Sequence, residues 1–591
     1  MRDRSPVLLK SWFNHKALAL VVLPVLLAAC QGGMPAVAET PGGAGGPVDW
    51  SAAGAYLAGQ HAVESGDSKT AAELLPLALK ADPTNDRLAQ QTLVALLSSG
   101  HMDEGIELAR DLDKRGVKAP LLSMTLLLAD VKNEDYAAAR QDLAGIGDEG
   151  AGRIGRPLIA AWLALGGGKP DSARLESALA EMKPLDAISG LKPVVAVHAA
   201  LMEDFAGHPD LAEKRFQAMA DEDRLSSHVV EIYADLFHRQ GKDDAVRALM
   251  AKFREQAPGV GSAMADGLER RLTKPAGKKP FVGSVGEGVA EVLFDLASLL
   301  RSENLDSQAV LFGRLALYLD PNLDIAKLLV ANLMENGKHY EAAVETYGGI
   351  AKDSPYRWSA ELSTSDALRE LGKTEETLKL LGEMVKAEPK RSDAAIALGD
   401  LLRHEKRYDE AADAYSTAIA RTPKPGAGDW SMFYFRGTAY ERAKKWDKAE
   451  PDFLKSLELS PDQPYVLNYL AYTWVERREN LDKALKMLES AVEQRPEEGF
   501  IVDSLGWAYF QLGKFDKAVN YLERAVELQP EDPVLNDHLG DAYWRVGREN
   551  EARFQWSRAL SFKPEEDQVP IIQKKIEDGL SPDAEKTQQD G

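Results

Sequence analysis

Along the C-terminal half of the chain, small and large apolar residues return at fixed offsets. One stretch sets Leu505, Gly506 and Tyr509 ahead of Gly513, follows with Ala518, Leu522 and Ala525, and closes at Pro530. The next repeats the order with Leu539, Gly540, Tyr543, Gly547, Ala552, Trp556, Ala559 and Pro564. Closing prolines stand at 321, 355, 389, 423, 461, 496, 530 and 564, at spacings of 34, 34, 34, 38, 35, 34 and 34. The small residue after the leucine lets a first helix approach a second closely, and the two alanines seven apart do the same from the second. The central glycine suits the turn, and the proline ends the second helix. Such a pair cannot bury its apolar face alone, so successive pairs must stack.

This pattern resembles the tetratricopeptide repeat (TPR), a 34-residue pair of antiparallel helices, A and B. The resemblance implies an all-α TPR solenoid, a right-handed superhelix of about fourteen helix pairs in two arrays. The clear array spans 290–566 and holds eight repeats, not all regular. Thr364, Ser365 and Thr377 replace the expected Leu, Gly and Ala, and Arg436 replaces a leucine. Lys424–Gly428 lengthens one connection, which predicts a local change of pitch. Residues 51–260 read as a degenerate TPR-like array. Gly59, Gly66, Ala71, Ala78 and Pro83 fit one unit, and Gly100, Gly207 and Gly241 sit between amphipathic segments, giving about six pairs. Residues 261–289, rich in Gly and Pro and carrying Arg270, Arg271, Lys274, Lys278 and Lys279, read as a solvated linker, with contact to an anionic polymer as the alternative. Residues 567–591 form an acidic tail with one amphipathic stretch, Val569–Ile576, expected to cap the last repeat.

The N-terminus carries a different signal. Arg2, Arg4, Lys10 and Lys16 precede an apolar run from Ala17 to Ala29. Thirteen helical residues span about 20 Å, short of a bilayer core, so residues 1–29 read as a signal peptide. The run ends in Leu27-Ala28-Ala29-Cys30, which resembles a bacterial lipobox. That resemblance implies cleavage before Cys30 and acylation of its thiol and new amine, with palmitate-type chains. An ordinary secretory signal with a chance cysteine is the alternative. Gln31, where the inner-membrane retention signal has Asp, favours a lipid-anchored outer-membrane location facing the periplasm. Residues 30–50 read as the lipidated cysteine and a flexible tether.

Composition narrows the function. The 591 residues carry a formal charge of −22, which becomes −25 without residues 1–29, so general nucleic-acid binding is disfavoured. The single cysteine excludes an intramolecular disulfide and multi-cysteine zinc sites. No HExxH or Walker A motif occurs, Ser504 lies outside any nucleophile elbow, and His538 with Asp541 reads as groove lining rather than a catalytic pair. The chain is therefore expected to be no enzyme and to need no metal or cofactor beyond lipid on Cys30.

In a TPR, helix A positions 2, 5, 6, 9 and 12 face the concave groove. Here they place Tyr434, Tyr465, Asn468, Tyr469, Tyr472, Phe500, Asp503, Trp507, Phe510, Asp537, Asp541 and Trp544 in a candidate peptide-binding groove. Tyr472 and Trp507, both at position 9, are the expected anchors. The alternative is that several of these aromatics pack between neighbouring A helices. The motifs Asn468–Tyr472, Asp503–Trp507 and His538–Asp541 look like those of large proteobacterial TPR lipoproteins. Some of these present peptidoglycan hydrolases to periplasmic carboxyl-terminal processing proteases. The resemblance thus implies an envelope scaffold or adaptor whose partners are such proteins, with homodimerisation also open. An assembly scaffold for export, secretion or polysaccharide machinery is the second reading.

Overall fold

A computed structural model describes residues 50–580 except 169, 223, 224 and 257–259. The signal peptide, Cys30, the tether to residue 49 and tail residues 581–591 lie outside the described residues. All regular structure among the described residues is helical, as the repeat pattern predicts. The helices are α1 (Ala52–Ser65), α2 (Ser68–Ala81), α3 (Asp86–Ser99), α4 (Met102–Lys114), α5 (Pro120–Lys132), α6 (Tyr136–Leu143), α7 (Ala151–Ala164), α8 (Ser172–Glu181), α9 (Lys192–Phe205) and α10 (Pro209–Glu222). Then follow α11 (Ser227–Arg239), α12 (Asp243–Gln256), α13 (Val260–Leu272), α14 (Val285–Ser302), α15 (Asp306–Leu319), α16 (Asp324–Asn336), α17 (Tyr340–Gly348), α18 (Arg357–Glu370), α19 (Thr374–Ala387) and α20 (Asp393–His404). The last are α21 (Tyr408–Ala420), α22 (Trp430–Arg442), α23 (Trp446–Leu459), α24 (Pro464–Glu476), α25 (Leu481–Gln494), α26 (Gly499–Gln511), α27 (Phe515–Leu528), α28 (Pro533–Arg545), α29 (Glu549–Ser561) and α30 (Val569–Asp578).

Local chemistry sets the boundaries. Ser51 Oγ accepts from Gly54 N–H to start α1, and Asn85 Oδ1 accepts from Leu88 N–H to start α3. The turns after α26 and α28 use Gly513 and Gly547 at φ +71° and +80°, the left-handed conformation that ends a helix without a Cβ penalty.

Inside a repeat, the close approach of A to B follows one rule. A Cβ added at Gly59, Gly399, Gly437, Gly506 or Gly540 would lie 2.5–2.9 Å from the residue sixteen positions later: Leu75, Tyr415, Phe453, Leu522 or Trp556 respectively. Each of those partners is fully buried. The missing side chain on A is the space that the bulky side chain on B fills.

The irregular repeats keep their fold by satisfying their polar atoms locally. Thr364 and Thr377 hydroxyls donate to the carbonyls four residues back, and Ser365 to that of Leu362. Arg436, in place of leucine, makes a two-pronged bond to the buried Asp452 at 2.6 and 2.7 Å.

The chain divides into two compact units, Met1–Thr377 and Leu378–Gly591, the division falling within α19. The expected linker at 261–289 is therefore not where the units part. Residues 260–272 are helix α13, with Ala263, Met264, Ala265 and Leu268 buried, and Gly267 lies against Pro355. From the other side of that segment, α14 packs on α7, and Gly288 sits on the buried Trp162 ring. One continuous core runs from Ala89 to Ala360 across it. Arg271 is half-buried and its guanidinium donates to Glu231 at 2.7 Å, whereas Lys274, paired with Asp353 at 2.8 Å, is exposed, as are Arg270, Lys278 and Lys279. At the other end, the amphipathic stretch from Val569 forms α30, which packs on α29 and buries Ile572.

Candidate functional site

In the second unit the A helices α24, α26 and α28 pack side by side. Successive turns of one therefore meet successive turns of the next, and this decides which groove candidates reach solvent.

Four of the twelve are buried: Asn468, Asp503, Trp507 and Asp541. Trp507, an expected anchor, is only 9% exposed. Its ring stacks on His538 at 4.0 Å and on Phe510 at 4.7 Å, and its indole N–H donates to Glu476. Tyr472, the other expected anchor, is half-buried. Tyr469 is half-buried too, and its hydroxyl donates to Glu441 at 2.8 Å while its ring meets Tyr434 edge-on at 5.9 Å. Trp507 thus holds neighbouring A helices together, which corrects its reading as a free anchor. The ring is large enough to bridge the gap to the next A helix, and a stacking partner waits there.

The acidic candidates are spoken for as well. Asp503 accepts from His538 Nδ1 at 2.9 Å. Burial alone would lower the His538 pKa, but the Asp503 carboxylate outweighs it and raises the imidazole to about 9. Asp541 accepts from the Trp556 indole N–H at 2.8 Å and, with Asp537, from Lys575 Nζ of α30 at 2.8–2.9 Å. Burial and the neighbouring Asp537 push Asp541 up to about 6, against the pull of Lys575. Asp503, Asp537 and Asp541 are thus engaged by this chain's own His538 and Lys575. Trp544 is half-buried under Gly579, whose Cβ, if it had one, would lie 2.0 Å from the ring. Lys575 was not a sequence candidate. Its position 34 residues after Asp541 is the signal that would have marked it.

What remains open is a row at position 2. Phe500 is 40% exposed and Val534, at the same place on the next A helix, is 49% exposed. Tyr465, one repeat earlier, stacks nearly parallel to Phe500 at 6.4 Å and donates to Glu498. Three consecutive A helices therefore present an apolar side chain at the same register.

The first unit holds a separate buried ionic cluster. His228 Nε2 lies 2.7 Å from Glu291, while Tyr356 Oη and Arg271 both donate to Glu231, at 2.6 and 2.7 Å. Burial would lower His228, yet Glu291 and Glu231 hold it up to about 10. The cluster ties α11, α13 and α14 to the residue before α18. No nucleophile joins it, and among the described residues no group of three or more His, Cys, Asp or Glu side chains is placed to hold a metal.

Two family models match the chain: a tetratricopeptide repeat at residues 362–426 and a TPR repeat at 506–547. Over 196 residues the chain is 24% identical to the TPR repeat-containing protein PA4667 of Pseudomonas aeruginosa, covering 32% of each. It is 25% identical over 202 residues to the human protein O-mannosyl-transferase TMTC1, covering 33% of this chain and 23% of that one. The match thus spans about a third or less of either relative's own length. Among solved structures, a tetratricopeptide repeat protein from Parabacteroides merdae is similar at 16% identity and TM-score 0.36, over 43% of this chain and 97% of that one. Yeast Tom70 is similar at 14% identity and TM-score 0.32, over 89% of this chain and 95% of that one. The chain carries tetratricopeptide repeats in an all-α array.

Proposed function

We propose that this protein is a non-enzymatic scaffold, held to the periplasmic face of the outer membrane through lipid on Cys30, that grips a partner protein across the A-helix face of its second unit. The observation that carries the binding role is the apolar row Tyr465, Phe500 and Val534, half-buried at Tyr465 and exposed at the other two, repeated at one register on three adjacent helices. Singly exposed apolar residues are ordinary, but a row in register offers an extended segment one contact per repeat. The chain's net charge of −22 favours a basic partner. TPR proteins act by binding other proteins. Presentation of substrates such as peptidoglycan hydrolases to a carboxyl-terminal processing protease is the specific form suggested by the likeness to TPR lipoproteins.

The test uses Phe500→Ser with Val534→Ser. Both side chains face solvent, so the fold stays intact. Losing two central apolar contacts typically costs about 2 kcal/mol or more of binding, roughly thirty-fold in affinity. Envelope partners captured by cross-linking to the wild type should be lost from the variant at unchanged helicity. Retention of every partner refutes the row as the contact surface. Separately, radiolabelled palmitate should mark the wild type and not Cys30→Ala. A Cys30→Ala protein that stays labelled and membrane-bound refutes the anchor.

A further inference from the structure

The outermost helix of a solenoid normally turns a polar face to water, because no further repeat covers it. Helix α1 does the opposite. From Ala52 to Val63 it contains no Asp, Glu, Lys or Arg, in a chain of which 28% is charged. Ala55, Gly59 and Ala62 pack inward on α2, where Leu75 fills the space beside Gly59. The opposite face carries apolar side chains too, beside the polar Gln60, His61 and Glu64: Leu57 is 68% exposed, and Tyr56 and Val63 are each 41% exposed. Trp50, directly before the Ser51 cap, is 42% exposed. A helix with apolar side chains on both faces is one that buries both, and among the described residues only one face is covered.

Where this helix sits in the chain points to its cover. It begins 22 residues after Cys30, and the intervening sequence is rich in Gly, Ala and Pro. At no more than about 3.6 Å per residue, such a span reaches at most roughly 80 Å, so an anchored chain keeps α1 within that distance of the bilayer. Trp and Tyr are the side chains enriched at the membrane–water boundary, and the absence of Asp, Glu, Lys and Arg from Ala52 to Val63 lowers the desolvation cost of lying there. We infer that the outer face of α1 docks on the lipid surface, making the first helix a second membrane contact beside the acyl anchor. The inference rests on the anchored reading above.

Because Cys30 is the sole cysteine, residues 30–591 can be attached through its thiol to a maleimide phospholipid in phosphatidylcholine vesicles carrying brominated acyl chains. Bromine quenches tryptophan on contact, and the difference from a Trp50→Phe chain isolates Trp50. The expected result is quenching of the Trp50 emission. Leu57→Glu with Val63→Glu, both at exposed positions, should abolish it while helicity and attachment are unchanged. Equal quenching of wild type and Trp50→Phe overturns the inference. So does an unattached wild-type chain that sediments as a dimer split by Leu57→Glu, since a second copy would then be the cover. The chemical linkage keeps the two readings apart. Absence of natural lipid on Cys30 removes the anchor but not the vesicle result, and a failed vesicle result leaves the acylation standing.

Discussion

Replacing Gly540 with alanine tests the sixteen-residue pairing where it is tightest. The new methyl would lie 2.5 Å from Cδ1 and Nε1 of Trp556 and 3.0 Å from its Cε2. Ordinary carbon contacts are about 3.5–4.0 Å, so the ring must move by about an ångström. It cannot move freely, being fully buried with its indole N–H held by Asp541, which also binds Lys575. Overpacking costs about 1–3 kcal/mol, and losing a hydrogen bond to a charged group about 1.5–3 kcal/mol. Against this, alanine gains about 1 kcal/mol of helix propensity over glycine. The net loss is about 1.5–5 kcal/mol, centred on about 3 kcal/mol. At Gly506 the obstacle is the branched end of Leu522, 2.7 Å away and without a hydrogen bond to lose. Gly506→Ala should therefore cost about 0–2 kcal/mol. Hydrogen exchange read by mass spectrometry on the full chain compares the two. Amides of α28 to α30 should exchange about thirty-fold faster or more in Gly540→Ala, with far less change in Gly506→Ala. Contacts in a repeat array are between neighbours, so α14 and α15 should not respond. Slower exchange in Gly540→Ala, equal effects at both glycines, or a change reaching α14 would refute the reasoning.

Three further outcomes are expected. His538 is raised above its unfolded value of about 6.5 to about 9, so its contribution is complete below pH 6.5 and is lost as pH rises through 9; exchange in α26 and α28 should quicken over that window, and His538→Gln should flatten the dependence. Arg436→Ala leaves the Asp452 carboxylate buried and unpaired, at a cost of about 3 kcal/mol in denaturant unfolding, and adding Asp452→Ala should recover most of it; additive losses would refute the pairing. Gly579→Ala places a side chain at φ +75° and against Trp544, so α30 should undock and trypsin should cut at Lys574 and Lys575 faster than in the wild type.

The helix pairs of the second unit were legible because their signal is local and repeated. Gly506 and Leu522 belong to one hairpin, and the same two positions recur as Gly540 and Trp556. Helix α13 was not legible, because its glycines and arginines, followed closely by Lys274, Lys278 and Lys279, look like linker composition. What makes it a helix in a core is Gly267 against Pro355 and Arg271 on Glu231, contacts from distant parts of the chain. The candidate groove residues lie on A helices as expected, but the exposure of several was misjudged. Whether an aromatic at position 9 points out or bridges depends on the neighbouring helix, and Trp507 finds His538 there. Phe500 at position 2 meets the ring of Tyr465 only at 6.4 Å, and it and Val534 stay exposed.

The pairing of a glycine with a bulky residue sixteen positions on also bears on how such a chain can grow and diverge. A duplicated segment that runs from one closing proline to the next carries both halves of the fit and folds at once. A crossover inside the turn between A and B separates them. An A helix bearing Ala471 joined to the B helix bearing Trp556 would set a methyl where the indole needs empty space. Recombination is therefore tolerated between repeats and penalised within them. The extra residues at Lys424–Gly428 obey this, lying after Pro423 and before α22, outside any A–B hairpin. The hairpins that carry the glycine keep the sixteen-residue distance, whereas the α24–α25 hairpin, with Ala471 in the glycine's place, has one extra residue in its turn.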